Sequence, residues 1–298
     1  MNFYKITNEE ENHNGLQYKT GLNVDPLPWD PSGDCKSGGI YFSREDILAF
    51  VDYGPWIRKV TIPKGIRIYE NPGKPKKWKA HAVIIGERRK INASVIKDLF
   101  EKGADIHVDD EYVLRWASKN GYLEIVKILI EHGGNVRAND DQALRWASGN
   151  GHLKTVKFLI RHGANVRADN DQALRWAISN RHFAIVKLLI KHGANIHVHK
   201  DSMFKWESLK GNLEVVRFLL EYGANVHTDG DWALKWASAN GHLETVKILI
   251  KHGANVHDND NCPLRWARMN KHTEVVALLL KHTSAQQHEV HRDNRRTT

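Results

Sequence analysis

Tryptophan recurs along this chain of 298 residues at a fixed interval of 30 residues. The recurring positions are Trp116, Trp146, Trp176, Trp206, Trp236 and Trp266. Glycine keeps the same step at Gly103, Gly133, Gly163, Gly193, Gly223 and Gly253. Two residue types that share one register over six steps indicate an array of similar units stacked along one direction.

One unit, Asn139 to Ala168, reads NDDQALRWASGNGHLKTVKFLIRHGANVRA. Asp141 is predicted to be the N-cap of a first helix, and Gly151 is predicted to end that helix. The apolar face of this helix is Ala143, Leu144, Trp146 and Ala147, and that of a second helix is Leu153, Val156, Leu159 and Ile160. The unit is therefore predicted to be a helix-turn-helix pair, closed by Gly163.

Two short helices cannot cover their own apolar faces, so neighbouring units are predicted to stack around a continuous core. Residues 91–282 form the predicted array, with a half repeat at 91–108 and six full repeats from about 109. Residues 283–298 are polar and are predicted to form a flexible tail.

The unit resembles the ankyrin repeat, whose consensus is TPLHxAAxxGHxxVVxxLLxxGADVN. The matching residues are Ala-Leu-Arg-Trp-Ala-Ser, then Asn-Gly-His-Leu, then Val-Lys-Phe-Leu-Ile-Arg-His-Gly-Ala-Asn-Val. The resemblance implies an ankyrin-like α-solenoid that binds proteins. This unit is shorter than the 33-residue family repeat, and the shortening falls where the family builds a β-hairpin finger. We therefore expect stunted fingers and an aspartate cap in place of Thr-Pro.

Residues 1–90 lack the period and are predicted to form a small α+β domain. Short β-rich runs at 39–42, 59–62, 66–69 and 82–85 predict strands, and 44–52 predicts a helix capped by Ser43. The order of GLNVDPLPWD, CKSGGIYFSREDILAFVDYG, VTIP and KWKAHAVIIG is similar to the leader region of ankyrin repeat proteins from giant amoebal DNA viruses of the mimivirus type. The whole chain is thus expected to be mainly α.

Composition limits the compartment and the partners. The chain has no apolar run of membrane-spanning length and no signal-peptide pattern, which predicts an intracellular, cytoplasmic protein, in the host cytoplasm if it is viral. Cys35 and Cys262 have no CxxC neighbours, so neither a disulfide nor a cysteine zinc site is indicated. Basic residues outnumber acidic ones by 15 to 11 in 1–90, 26 to 22 in 91–282 and 3 to 2 in 283–298. This diffuse excess argues only weakly for nucleic acid.

Three sets of positions repeat with the tryptophans. The tryptophans themselves are interpreted as a structural ladder that packs repeat on repeat. A basic residue precedes each one, at Arg115, Arg145, Arg175, Lys205, Lys235 and Arg265. Four residues before the base stands an acid, at Glu111, Asp141, Asp171, Asp201 and Asp231, with Asn261 as the exception. This spacing predicts a supporting pair within each helix, with a phosphate-binding stripe as the alternative.

The histidines number 18 but are distributed, not clustered. Half of them stand at the end of a second helix or in the turn between helices, and only His197 and His199 form a locally dense pair. No metal site and no cofactor are predicted from this spacing.

Two positions on the first helix vary freely between repeats, and seven residues separate them, so they share one face. We interpret this face as the partner-binding surface, because exposed aromatic residues and methionine are typical anchors. Its proposed residues are Tyr112, Lys119, Gln142, Gln172, Leu209, Trp232 and Met269.

The sequence therefore predicts a noncatalytic, monomeric protein-interaction protein that acts without a membrane. Residues 1–90 carry no phosphate loop, HExxH or GxSxG motif. Two alternatives stay open. One is nucleic-acid binding through the Arg/Lys ladder and the basic tail, and the other is an activity in residues 1–90, with a cleft near Tyr41, Arg44 or His81 and the repeats as adaptor.

Overall fold

The computed structural model describes residues 2–13, 15–30 and 38–294, with side chains described as far as 283. Cys35 lies outside the described residues. The chain forms two compact units, residues 1–168 and 169–298. The first unit contains the strand-rich N-terminal region together with the first repeats.

The N-terminal region is built from short antiparallel strands. A four-stranded sheet has the order β1-β6-β9-β4, a second sheet has the order β5-β8-β7, and β2 pairs with β3. The strands are β1 (Phe3–Thr7), β2 (Asn12–His13), β3 (Leu16–Gln17), β4 (Gly21–Val24), β5 (Ile40–Phe42), β6 (Trp56–Thr61), β7 (Ile68–Glu70), β8 (Trp78–Ala80) and β9 (Ala82–Lys90).

Alternation along these strands builds the N-terminal core. In β9, Val83 and Ile85 are buried while Ile84 between them is exposed, as the two-residue period of a strand requires. The core cluster consists of Tyr18, Ile40, Phe42, Val60, Trp78, Ala80, Val83 and Ile85. A small strand-rich region before the helices is therefore confirmed.

The predicted helix at 44–52 is a 3-10 helix over Glu45–Tyr53. Its N-cap is Arg44, and no side chain caps it. The Ser43 hydroxyl, predicted to be the cap, donates instead to the carbonyl oxygen of Lys76 at 2.7 Å. The cap prediction was wrong because Ser43 is held by backbone pairing with Tyr4, which directs it away from the helix start.

The remainder of the described chain is helical. Helix α1 (Ala93–Glu101) begins at Asn92, whose side-chain oxygen accepts from the Val95 N–H at 3.0 Å. The first helices of the repeats are α2 (Val108–Lys119), α4 (Ala138–Gly149), α6 (Ala168–Ser179), α8 (Val198–Leu209), α10 (Trp232–Ala239) and α12 (Asp258–Met269). The second helices are α3 (Leu123–Glu131), α5 (Leu153–Arg161), α7 (Phe183–Lys191), α9 (Leu213–Glu221), α11 (Leu243–Lys251) and α13 (Thr273–Asn294).

Helix-turn-helix repeats and a solenoid fold are thus confirmed. The buried residues of a unit are those that the period predicted, such as Ala143, Leu144, Val156 and Leu159, all at most 1 % exposed. At the other end of the array, α13 does not stop near residue 282 but continues to Asn294, so the segment predicted as a flexible tail begins as helix.

Three consecutive residues with positive φ stand at the start of each first helix: they lie within the first turn of α2, α4, α6, α8 and α12, and immediately before α10. At Asn139, Asp140 and Asp141 the φ values are 55°, 54° and 57°. The other turns are Asp109–Glu111, Asp169–Asp171, His199–Asp201, Asp229–Asp231 and Asn259–Asn261. A left-handed turn therefore stands where the shortened finger was expected, and the right-handed helix starts after it.

Candidate protein-interaction surface

The six periodic tryptophans lie outside the core of their repeats. Five are half-buried, and Trp206 is 54 % exposed. The residues that fill the core are their neighbours, for example Ala147 and Ser148 beside Trp146, both fully buried. Each indole therefore covers the surface of its helix pair and still presents part of its ring to solvent.

In the first compact unit, two of these tryptophans line a groove of about 390 Å³. Trp116 packs against Tyr122 with ring centroids 5.1 Å apart, and the Lys119 ammonium lies 5.4 Å from the centre of the Trp146 ring. The N-terminal region forms the other wall, with Asp52 and Pro55 among its residues. The groove thus combines exposed aromatic surface with a cation.

Tyr112, one of the predicted binding residues, lies in this groove but is already engaged. Burial and a hydrogen bond to the Asp52 carboxylate raise the pKa of Tyr112 to about 12. The Arg115 guanidinium lies 5.4 Å from its ring centre. Gln142 is also engaged, because its side-chain oxygen accepts from Arg115 Nη1 at 2.5 Å. Lys119 is exposed. Of the predicted binding residues in this unit, it is therefore the most accessible to a partner.

In the second compact unit the aromatic rings form a connected row. Trp206 and Trp232 have centroids 6.1 Å apart, Trp232 and Trp236 5.5 Å, and Trp236 and Trp266 5.1 Å. Trp232 is therefore part of the row and not an isolated anchor. Met269 is 76 % exposed.

The remaining predicted residues of this unit, Gln172 and Leu209, are half-buried. Leu209 contributes its backbone as well, since its carbonyl oxygen contacts His242 Nε2 at 2.9 Å. Cys262 occupies the same variable position as Trp232 but is a buried free thiol. The variable face is thus open in some repeats and packed in others.

The basic residues that precede the tryptophans contact the left-handed turns. Arg115 donates to the carbonyl oxygens of Asp110 at 3.0 Å and Asp109 at 2.6 Å, and Arg145 donates to that of Asn139 at 2.7 Å. In the second unit, Arg175 contacts the carbonyl oxygens of its own turn, while Lys205 and Lys235 pair with Asp229 and Asp258 of the following repeat. Arg265 is exposed.

The acidic residues do not cap their own helices, contrary to the prediction. Asp231 is the N-cap of α10 but makes no capping bond with its side chain. Its carboxylate accepts from the backbone N–H of Asn255 at 3.0 Å, and Asp141 and Asp171 accept in the same way from Asn165 and Asn195 at 2.7 Å. Because the acid has a left-handed backbone, its side chain is directed to the next repeat and away from its own first turn. The predicted pairing of each acid with the base four residues later is replaced by these contacts.

Burying the carboxylate of the acidic residue between two repeats has an electrostatic cost. Asp141 is 2 % exposed, and burial raises its pKa, while the Asn165 N–H and the nearby Arg137 act in the opposite direction. The backbone hydrogen bond therefore offsets part of the cost of placing a carboxylate between two repeats.

The histidines in the turns join successive repeats, a role that the sequence reasoning missed. His152 Nε2 contacts the carbonyl oxygen of Lys119 at 2.9 Å, and His272 contacts that of Ala239 at 2.9 Å. His242 makes the same kind of contact with the carbonyl oxygen of Leu209, and each of these contacts spans 33 residues. In the sequence, these histidines were recognised only as part of the turn motif of the family.

His197 and His199, the one dense histidine pair, do not converge. His197 Nδ1 contacts the Asp201 carboxylate at 2.8 Å, and His199 belongs to the left-handed turn. Within the described ranges, no group of three His, Cys, Asp or Glu side chains is arranged to hold a metal ion. None of the helices in the described part of the chain combines the length and apolar character that a membrane crossing requires.

A model of the family "Ankyrin repeats (3 copies)" matches residues 87–170, 114–200 and 203–291. These matches cover well over half of the chain. The chain belongs to the ankyrin repeat family. Ankyrin repeats are generally protein–protein interaction modules, and the helix pairs described above are the ankyrin repeats of this chain.

The ankyrin repeat chain is similar to several proteins of Acanthamoeba polyphaga mimivirus. It is 38 % identical over 135 residues to ankyrin repeat protein R229, which covers 40 % of this chain and 44 % of R229. It is 35 % identical over 133 residues to the uncharacterized protein R869, covering 41 % of this chain and 93 % of R869. With ankyrin repeat protein R868 the identity is 29 % over 134 residues, covering 41 % and 63 %. The chain thus spans about half the length of some relatives and nearly all of one.

Two solved ankyrin repeat domains are also similar. One, from Acinetobacter baumannii AYE, has a TM-score of 0.49 and 26 % identity, covering 57 % of this chain and 97 % of that domain. The other is the human ASB11 ankyrin repeat domain, with a TM-score of 0.47 and 26 % identity, covering 56 % of this chain and 82 % of that domain.

Proposed function

We propose that this ankyrin repeat protein is a noncatalytic interaction protein that binds its partner through the tryptophan-bearing faces of the first helices. The observation that carries the proposal is a tryptophan that stays partly exposed in every repeat. Four residues before it and three residues after it, on the same face, stand side chains that differ from repeat to repeat, such as Tyr112 and Lys119. A constant aromatic row supplies contact area, and the varied neighbours supply selectivity.

Exposed tryptophan is costly unless something covers it. An indole buries about 150–250 Å² in a well-packed site, so the exposed half of Trp206 offers roughly 100 Å², equivalent to about 2.5 kcal/mol on burial. Rows of such side chains are typical of binding hot spots. In the second unit, Trp206, Trp236 and Met269 provide this surface.

The partner that fits best is a protein segment with aromatic or aliphatic side chains beside carboxylates. Lys119 is exposed at the groove of the first unit, and its ammonium lies against Trp146, so a carboxylate next to an apolar side chain complements it. Since the similar proteins belong to a virus of Acanthamoeba, we propose a host protein of the amoebal cytoplasm as the partner.

Nucleic acid is the weaker proposal. Most cations of the Arg/Lys ladder are engaged with the turns, as with Arg115 on backbone carbonyl oxygens and Lys235 on Asp258. A phosphate would have to compete with these contacts, so the ladder offers few free charges to a phosphate backbone.

The test is affinity capture with the immobilised full chain from amoebal lysate, followed by mass spectrometry. We compare the parent with Trp206→Ala/Met269→Ala, and with Lys187→Ala/Arg217→Ala as a matched pair of exposed residues on second helices. Circular dichroism verifies that both variants keep their helices. A protein retained by the parent and the control pair, but recovered at least about 30-fold less by the tryptophan variant, supports the proposal.

Two results would count against it. Equal recovery of the same protein by all three forms would show that the tryptophan face of the second unit does not bind. Specific retention of nucleic acid, with no protein above background, would favour the phosphate-binding alternative.

A further inference from the structure

The N-terminal region contains a cavity of about 260 Å³ that the repeats do not form. Its lining includes residues of β1 and β5, and Tyr4 of β1 forms an isolated bridge with Ser43, the residue after β5. Several aromatic side chains line it, including Tyr18, Tyr41, Phe50 and Tyr53. Lys5 brings a cation into this setting.

Lys5 is only 8 % exposed. Its ammonium donates to the carbonyl oxygen of Tyr41 at 2.9 Å and lies 4.6 Å from the centre of the Tyr18 ring. Among the described residues, the partners of this ammonium are thus a neutral carbonyl oxygen and a ring face, and not a carboxylate. A buried ammonium normally has an anionic partner, because a neutral carbonyl and a ring face replace only part of its hydration.

The surrounding titratable groups do not supply that partner. Burial lowers the pKa of Lys5 to about 8, and burial together with the positive charge of Lys5 lowers the pKa of the exposed His13. Burial and Asp25 raise the pKa of Tyr18, so Tyr18 stays neutral. The Asp25 carboxylate already accepts the backbone N–H groups of Leu27 at 2.9 Å and Gly39 at 2.7 Å.

We propose that this cavity binds a small organic carboxylate, with the carboxylate against Lys5 and an aromatic or aliphatic body among Tyr41, Phe50 and Tyr53. The buried ammonium supplies the missing counter-charge interaction, and the aromatic walls accept the apolar part. An inorganic phosphate fits less well, since sites for it generally offer several N–H donors or a helix N-terminus, whereas the buried ammonium here is that of Lys5, and the other lysine of the lining, Lys77, is only half-buried.

The test uses the full chain and three probes, namely benzoate, its neutral isostere benzamide, and inorganic phosphate. Calorimetric titration is expected to give one benzoate site with a dissociation constant of about 1 mM or lower, and at least about 10-fold weaker binding of benzamide and phosphate. Lys5→Met keeps an unbranched apolar side chain and should lose at least 10-fold in benzoate affinity. Lys59→Met, an exposed lysine on the neighbouring strand β6, is the matched control and should bind as the parent does.

Two further readouts separate binding from folding. Lys5→Met should melt at the same temperature as the parent or higher, because the variant removes a buried, unpaired charge. In the parent, NMR titration of the Lys5 side-chain methylene signals should show a higher pKa with benzoate present than without, since an anion favours the charged amine. This measurement decides the question even if Lys5→Met does not fold.

Three outcomes would overturn the proposal. The first is benzoate binding that Lys5→Met leaves unchanged, and the second is an unchanged Lys5 pKa at saturating benzoate. The third is phosphate bound as tightly as benzoate or more tightly, which would assign a different class of anion to the cavity.

Discussion

At the scale of single residues, a glycine and a histidine 31 positions apart constrain each other. Gly241 has a φ of +73°, and a Cβ added there would lie 2.5 Å from Nδ1 of His272. The pairs Gly121 with His152 and Gly211 with His242 have the same geometry. Where Arg181 occupies the glycine position, Asn212 stands in place of the histidine and accepts from the Arg181 side chain at 3.2 Å. The glycine is therefore required by the ring of the next repeat.

We predict that Gly241→Ala lowers the free energy of unfolding by about 2 kcal/mol or more. The left-handed backbone alone costs about 1–2 kcal/mol with a side chain, and the contact with the His272 ring adds to it. The matched control is Gly253→Ala, which has a φ of +95° but nothing within 4 Å of the added Cβ. Urea unfolding followed by far-UV circular dichroism measures both variants.

A double-mutant cycle tests the cause. His272→Asn removes the ring, so Gly241→Ala should cost at least about 1 kcal/mol less in that background. Equal costs for Gly241→Ala and Gly253→Ala, or no coupling with His272→Asn, would show that the histidine ring does not select the glycine.

A second prediction concerns the buried ion pair of the N-terminal sheet. Arg58 donates to both carboxylate oxygens of Glu11 at 2.7 and 2.6 Å, and these hydrogen bonds are the main cause that lowers the pKa of Glu11. We expect Glu11→Gln to destabilise the region by about 2–3 kcal/mol at neutral pH. The exposed Glu10→Gln is the control.

The same pair predicts a pH dependence. Because the folded-state pKa of Glu11 lies below its unfolded value of 4.5, the stabilisation is complete above that pH and is lost as pH falls through the folded-state pKa. The parent and Glu11→Gln should therefore converge in stability as the pH is lowered through the folded-state pKa of Glu11. Hydrogen exchange of the β1 and β6 amides measures this, and a constant difference at all pH values would contradict the assignment.

At the scale of elements, the left-handed turn explains the composition at the start of each first helix. Fifteen of its eighteen positions are Asp, Asn or Gly, with Glu111, His199 and Lys200 as the exceptions. Gly, Asn and Asp tolerate this backbone because they lack a side chain or bond locally with a short one. The Arg side chains then satisfy carbonyl oxygens that the reversed turn leaves open, as Arg115 does for Asp109.

The exceptions in the fourth turn give a third prediction. Lys200 is exposed at φ 53°, so Lys200→Gly should raise the free energy of unfolding by on the order of 0.5–1 kcal/mol. The same change at Lys187, exposed in the middle of the right-handed helix α7, should lower it by about 1 kcal/mol. Opposite signs in urea unfolding are expected, and a loss in both variants would argue against the left-handed turn.

At the scale of the whole molecule, the formal charge of +9 overstates the free positive surface. Charges such as Arg58, Lys205 and Lys235 are paired with acids within their own units. We therefore predict a dissociation constant of about 10⁻⁴ M or weaker for a short mixed-sequence DNA duplex at physiological salt. Fluorescence anisotropy measures it, and micromolar binding with a steep salt dependence would revive the nucleic-acid alternative.

The repeat period let the sequence predict the number and type of helices, their core residues and the family. The period did not predict whether the tryptophans lie in the core or on the surface, because a residue type can recur at every repeat in either location. In the family consensus, the tryptophan aligns with the unspecified residue after Leu-His. That alignment was the one feature of the sequence that indicated a surface position. The engagement of Tyr112 and Gln142 by Arg115 could not be read from helix periodicity, since it joins two repeats or two side chains on one helix.

Apolar periodicity acts over a few neighbouring residues, so the order of amino acids was enough to predict the helix pairs and the strand-rich start. The left-handed turns, the contacts of the acids with the next repeat and the burial of Lys5 became apparent only in the folded chain. Those features depend on which backbone N–H, ring or carboxylate comes within reach through space. Such proximity follows from packing between elements far apart in the chain, about which local residue patterns carry no information.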